Sequence, residues 1–504
     1  MKTHKKTKKT TLYLAKRVEK WYFKTMEELI IGREAEIKQL QNSYESKESQ
    51  LVIVYGRRRV GKTFLINHFF NKRFDFKLTG DFKGDKQVQL DNFYSELKRQ
   101  SEKDLPQPKD WREAFWQLRD YIDTLSEDEK HVVFFDEMPW LDAKKSGFLP
   151  AFEYFWNSYG SAKDNLMFIV CGSATSWMVE NIDQNKGGLF NRQSCRIYLE
   201  PFNLYETEKY LESKNINWNR YTITQTYMIL GGIPYYLKQL DKELTFDANI
   251  DNLFFRKRAE LWDEYDHLYN TLFSSSVNYT KVVEVLSEKR QGYTRSDIAN
   301  KTKIADNSKL TKILKNLVDS GFVRSYPYFG KHKQNTFYQL SDYFTLFHFK
   351  FVKDNYGTDE RFWSNSLDNP SRAAWEGFTF EQVCKDHFRQ IKKKIGISGI
   401  LCSESSWSVP KTEERPGAQI DMLIDRRDKV ISICEMKFAD SEYQITKDYD
   451  EKLRNKMSVF RTVTKTKKAL QLVMITTYGL TRGMYSNRVQ QQVLLDDLFE
   501  DIKF

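Results

Sequence analysis

Two clusters of residues, far apart in the chain, have the types and spacing that chemistry on phosphates requires. The first is Gly56-Arg57-Arg58-Arg59-Val60-Gly61-Lys62-Thr63, a G-x-x-x-x-G-K-T spacing. Its glycines let the backbone turn so that N–H groups converge on an anion. Lys62 would reach the β- and γ-phosphates of ATP, and the Thr63 hydroxyl would ligate Mg²⁺. Gly56, Arg59, Val60, Gly61 and Phe64 complete the expected nucleotide cradle. The arginines Arg57 to Arg59 either stabilise phosphate or face water. The loop follows an apolar strand-like run from Leu51 and opens an apolar helix, whose dipole adds positive potential. A second apolar run, from His131, closes on Asp136-Glu137. Asp136 would hold Mg²⁺ through water, and Glu137 would polarise the attacking water. A third run, from Leu166, ends at Gly172-Ser173, where a small hydroxyl would sense the γ-phosphate from an adjacent strand.

The second cluster lies near the other end, in a hairpin over 417–440 with a charged turn. Period-2 alternation places Gln419 and Asp421 on one face of the first strand. It places Ile431, Ile433, Glu435 and Lys437 on one face of the second. Carboxylates facing each other across a strand pair lie ~5 Å apart and repel. A divalent cation bound by Asp421 and Glu435 removes that penalty. Lys437 would orient water or stabilise a pentacoordinate phosphate. The alternative is an ion pair at a sheet edge.

Elements must position these residues. Segments 73–80 and 195–202 supply two more strands, and helices such as 111–124 separate them. Strands alternating with helices imply an α/β fold with a parallel, doubly wound sheet that binds nucleotide at the C-terminal ends of its strands. Residues 241–290 read as helical. The stretch 293–342 holds a short helix, a turn, an amphipathic helix and a hairpin, which is a winged-helix pattern. Ile313, Leu314, Leu317 and Val318 would form its buried stripe. Lys309, Lys312 and Lys315 lie on the other side, and Lys331 and Lys333 sit at the wing tip. Such a module either enters a DNA major groove or serves only packing and protein contact. A helix from 456 to 468 would feed a parallel strand at 470–480 and give a basic surface.

The 504 residues suggest about three domains. Lys plus Arg number 80 against 69 Asp plus Glu, a net charge of +11 that suits a polyanionic partner such as DNA or aids solubility. No apolar run approaches the ~20 residues that span a bilayer. The basic N-terminus lacks the apolar stretch of a signal peptide. No membrane partner and a cytoplasmic location are therefore expected. The five cysteines are scattered without a C-x-x-C pair, so neither a zinc site nor a disulfide framework is indicated.

The segments 31–41, 56–63, 134–138, 171–178, 188–202 and 231–237 together resemble the archaeal-type ATPase family, AAA+-like proteins of the STAND-related group. The resemblance runs from about 28 to 240. It implies that Gly32, Arg33 and Glu34 lie near the nucleotide base, and that Gly231, Gly232 and Pro234 form a turn between lid helices. It also aligns Arg192 with an arginine that acts as a finger on the γ-phosphate, in cis or from a neighbouring subunit of a homo-oligomer. A plain surface arginine is the other reading. The D-x13-E-x-K spacing resembles the PD-(D/E)xK nuclease core, with Glu381 of the preceding helix completing the acids. No Pro-Asp pair precedes the site. The segment also resembles an uncharacterised nuclease-like domain often fused to these ATPases. The expected layout is a basic arm over 1–27, a P-loop ATPase domain over 28–203, a helical lid over 204–290 and a winged helix over 291–345. A connector over 346–374 and a restriction-endonuclease-like α/β domain over 375–504 follow. The resemblance implies an ATPase that couples nucleotide state to a DNA-binding, metal-dependent nuclease. The alternative is a signalling switch whose C-terminal domain is an inactive interaction module.

Overall fold

A computed structural model describes residues 30–184, 187–273, 276–330 and 336–502. The basic arm over 1–27 and the wing-tip residues Lys331 and Lys333 lie outside the described residues. The chain divides into two compact units, one ending at Glu200 and one beginning at Pro201.

The first unit is built on a five-stranded sheet of β1 (Gln50–Tyr55), β2 (Phe76–Thr79), β3 (His131–Asp136), β4 (Leu166–Gly172) and β5 (Cys195–Tyr198). All pairs are parallel, in the order β2-β3-β4-β1-β5. Every residue of β3 and β4 is buried. Continuous apolar runs of this kind suit strands covered on both faces. The helix Trp111–Ile122 shows how a cover is built. Asp110 caps it by accepting from the N–H groups of Arg112 and Glu113, and Trp111, Phe115, Leu118 and Ile122 turn inward at helical spacing. Phe115 then packs against Phe135, Phe148, Phe152 and Phe155. Because β4 is inserted between β1 and β3, the ends of three strands carry Gly56, Ser173 and Asp136 to one edge of the sheet.

The second unit opens with the helix Leu204–Ser213, whose capping box joins Asn203 and Glu206. The N–H of Leu204 donates to Nε2 of His387 at 3.0 Å, so a buried imidazole satisfies a helix-terminal donor. The expected connector over 346–374 is a packing element rather than a spacer. Phe347, Phe351, Trp363 and Trp375 pack edge to face, and the Arg372 guanidinium lies 4.1 Å over the Trp363 ring.

β6 (Tyr293–Thr294) leads into the helices Arg295–Thr302 and Ser308–Asp319, and with β7 (Val323–Pro327) and β8 (Thr336–Leu340) after them it forms a small antiparallel sheet ordered β6-β8-β7. In Ser308–Asp319 the buried stripe is Leu310, Ile313, Leu314 and Leu317. Val318, expected in that stripe, is only half-buried, and Leu310 one turn before Leu314 takes the place. A second five-stranded sheet holds β9 (Cys402–Val409), β10 (Ala418–Arg426), β11 (Val430–Lys437), β12 (Ala469–Thr476) and β13 (Gln491–Leu494), in the order β13-β12-β11-β10-β9. Strands β9 to β11 are antiparallel neighbours, and β11 to β13 are parallel. A bulge between Ile420 and Leu423 interrupts the expected alternation, so Met422, Leu423 and Ile424 are buried in succession.

Candidate functional site

The chain leaves β1 at Gly56, whose φ of +142° brings its Cα against the Leu199 carbonyl. A Cβ there would stand 2.4 Å from that oxygen, so only glycine fits. Gly61, at φ +94°, turns the loop into the helix Lys62–Phe69. Lys62 is 5% exposed, and its ammonium donates to the carbonyls of Gly56 at 3.0 Å and Arg57 at 2.8 Å. Burial pushes its pKa down, and the neighbouring Arg58 guanidinium adds to that. Among the described residues, Nη1 of Arg58 is buried with no hydrogen-bond partner.

Two acids face this loop. The Thr63 hydroxyl donates to Oδ1 of Asp136 at 3.0 Å. Asp136 is buried, which raises its pKa, and the Glu137 carboxylate raises it further. Glu137 has φ +47°, and its Oε2 accepts from the Ser173 N–H at 3.0 Å and the Ser173 hydroxyl at 2.8 Å. Thr63 thus meets Asp136, and Ser173 meets the next residue, Glu137. Val60 is buried, and Arg59 stands at φ +71°. Phe64 is 49% exposed and stacks on His68 at 3.7 Å. Gly32 precedes Arg33 at φ +66°, and the buried Arg33 side chain donates to the carbonyls of Val60 and Glu200, at 3.4 and 2.8 Å. That geometry makes Arg33 a clamp on the loop. Arg192 is exposed in the segment before β5, where its N–H donates to the Leu189 carbonyl at 3.2 Å.

The second cluster draws on elements far apart in the chain. Glu381 comes from the helix Pro370–Asp386, Asp421 from β10, and Glu435 and Lys437 from β11. All four line one cavity of about 270 Å³. Met422 pairs with Cys434, so one further step of that register sets Asp421 opposite Glu435. Gln419 donates to Oδ1 of Asp421 at 2.6 Å.

Three partners were not legible in the spacing. Arg290 bonds the Glu381 carboxylate and lies 3.1 Å from Oδ2 of Asp421. Lys456 bonds Oε1 of Glu435, and the Tyr449 hydroxyl donates to Oε2 at 3.0 Å. Lys437 lies 5.0 Å over the Tyr449 ring, and burial lowers its pKa. The Glu381 carboxyl is raised to about 7, by burial first and then by Asp421, with Arg290 opposing. Tyr449 and Lys456 are seven residues apart and so share a face of the helix Lys447–Thr464. That spacing is the one signal that could have found them. The helix begins before the expected 456, and Lys456 turns toward Glu435 rather than joining a basic outer surface.

Among the described residues, no three His, Cys, Asp or Glu side chains are gathered closely enough to hold a metal ion. Asp421 and Glu435 are instead each countered by a cation. Two carboxylates with water and a backbone carbonyl remain sufficient for Mg²⁺, which keeps much of its water.

Comparison with known proteins agrees with the first cluster. Residues 30–240 match the model of an ATPase domain found predominantly in Archaea. A Methanocaldococcus jannaschii protein described only as uncharacterized is 26% identical over 423 residues, covering 82% of this chain and 88% of its own. An ATP-binding protein of the same organism is 38% identical over 45 residues, 9% of this chain and 76% of its own. Among solved structures, a Walker-type ATPase of Pyrococcus abyssi is similar at TM-score 0.44 and 19% identity, over 64% of this chain and 96% of its own. The ORC2 protein of Aeropyrum pernix is similar at TM-score 0.39 and 12% identity, over 71% of this chain and 95% of its own. No helix among the described residues is long and apolar enough to cross a membrane. The inserted-strand parallel sheet with the phosphate loop at its edge is the fold of a P-loop ATPase, and residues 30–240 match an ATPase domain found predominantly in Archaea.

Proposed function

We propose that the first unit binds and hydrolyses ATP with Mg²⁺, and that the second binds DNA and carries a metal-dependent nuclease site regulated by nucleotide state. In the first unit the residues fit the group. Lys62 and Arg58 bring positive charge to the loop, and the orphaned Nη1 of Arg58 awaits an acceptor. Lys62 would exchange the carbonyls of Gly56 and Arg57 for phosphate oxygens. Thr63 and Asp136 would exchange their mutual hydrogen bond for Mg²⁺, which supplies charge neutralisation at the β- and γ-phosphates. Ser173 would turn its hydroxyl to the γ-phosphate and so remove one of its two hydrogen bonds to Glu137. Glu137 would then take the proton from the attacking water as that water bonds to the γ-phosphorus and the bond from that phosphorus to the bridging oxygen breaks, with ADP leaving.

In the second unit, the observation that carries the reading is the convergence of Glu381, Asp421, Glu435 and Lys437 on one cavity. Asp421 and Glu435 would hold the metal, which supplies Lewis acidity at a phosphodiester. Lys437 would orient the water. The exposed Lys309, Lys312 and Lys315 of Ser308–Asp319 would meet DNA phosphates, and helix and hairpin together would act as a winged helix. The test is cleavage of labelled DNA with Mg²⁺ or Mn²⁺. Cleavage lost in Glu435→Ala while ATP hydrolysis persists is expected. No cleavage of any nucleic acid by the intact chain would overturn the nuclease half.

The ion pairs of Arg290 and Lys456 favour a second reading, an inactive interaction module switched by ATP. Under it, wild type and Glu435→Ala leave DNA equally intact.

A further inference from the structure

A larger cavity, of about 650 Å³, adjoins the acids. One wall comes from the small sheet and its continuation, with Tyr326, Tyr328 and Phe337. The other is β9 with Ser406 and Ser408. The walls are tied together. The Phe329 N–H donates to the Ser406 carbonyl at 3.1 Å, Tyr328 bonds Ser408, and Phe329 packs on Phe460 at 5.1 Å. Gln419 and Asp421 line this cavity and the acid cavity alike, so the two are contiguous. Lys289 lines it as well and is exposed, and its chain neighbour Arg290 is the residue that bonds Glu381.

We infer that this cleft seats a short stretch of single-stranded nucleic acid and leads its phosphodiester to Asp421. The inference rests on reading the acid cavity as a phosphodiester site. Size argues first. The cleft falls within the ~300–1,000 Å³ range of small-ligand pockets, which suits a nucleotide or two and excludes a duplex. Chemistry argues second. Aromatic rings take bases of any sequence by stacking, at ~1–3 kcal/mol per base, and a lysine beside them tracks the backbone. Topology argues third. An extended peptide would need a free β-edge, but β9 already pairs here with Tyr328 through a bridge at Ser406. The shared wall at Asp421 then makes the substrate a strand end, flap or unpaired segment.

The experiment is fluorescence anisotropy of a labelled oligothymidine and its blunt duplex, with the full chain in EDTA so that nothing is cleaved. The single strand is expected to bind at least about tenfold more tightly than the duplex. Phe337→Ala and Lys289→Glu are each expected to weaken it at least about fivefold. Lys289 is exposed, so its substitution keeps the test valid if Phe337→Ala fails to fold. Unchanged strand affinity in Lys289→Glu, or an equal loss of strand and duplex affinity in that variant, would overturn the inference. So would absence of strand binding, the outcome expected if the cleft holds a peptide. Strand binding without metal-dependent cleavage keeps the cleft and removes the nuclease reading. Duplex cleavage lost in Glu435→Ala, without strand binding, does the reverse.

Discussion

At the scale of single residues, the lysine, the threonine and the second acid of the phosphate loop site already have partners, while Nη1 of Arg58 has none. Lys62 rests on backbone carbonyls, Thr63 on Asp136, and Glu137 on Ser173. Burying charge without compensation costs several kcal/mol, so a site built for anionic ligand must hold its charges some other way until the ligand comes. In the proposed hydrolysis, proton transfer falls on Glu137. Glu137→Gln keeps its shape and its bond to Ser173 but cannot accept a proton. Phosphate release is expected to fall by about 10²–10⁴-fold, with ATP still retained in a filter-binding assay. A variant that hydrolyses at the wild-type rate would remove Glu137 from the reaction. Lys62 and Thr63 are legible because their motif closes within one strand-loop-helix unit, and Asp136 and Glu137 because they end an apolar strand-like run. Arg290, Tyr449 and Lys456 stayed hidden because they reach the acids from other segments, and a lysine on an amphipathic helix reads as solvated. Arg33 was legible as important, but its place against two carbonyls is a consequence of tertiary packing.

At the scale of elements, burial on both faces writes itself into sequence, and so β1, β3 and β4 stand out as apolar runs. The bulge in β10 does not, because inserting one residue leaves composition unchanged while shifting faces. The segment 346–374 reads as a connector because its aromatics follow no single period, yet its rings find one another in the fold. The contact between Leu204 and His387 shows how helix ends depend on distant groups. His387 accepts at Nε2, so its ring is neutral, and burial holds its pKa below the usual 6.5. The unfolded chain takes up a proton as pH falls through that value, and the folded chain does not. Stability is therefore full above about pH 6.5 and is lost as pH falls below it, by at most about 1.4 kcal/mol per pH unit. The melting temperature should drop between about pH 7.5 and 5.5, and less steeply in His387→Gln. Equal slopes in the two proteins would show that this imidazole does not couple folding to protons.

At the scale of the whole molecule, the proposed roles divide at Pro201, with nucleotide chemistry before it and metal-dependent phosphodiester chemistry after it. A net charge of +11 is consistent with a polyanionic partner. The central claim is that the carboxylates of the second unit are a metal site held in check by Arg290. A calorimetric titration of Mn²⁺ into nucleotide-free protein addresses it directly, comparing wild type with Arg290→Gln and with Asp421→Asn. A Mn²⁺ site is expected that tightens at least about tenfold when Arg290 no longer competes, as removal of a close charge pair implies, and that disappears in Asp421→Asn. Identical isotherms in all three proteins would contradict it.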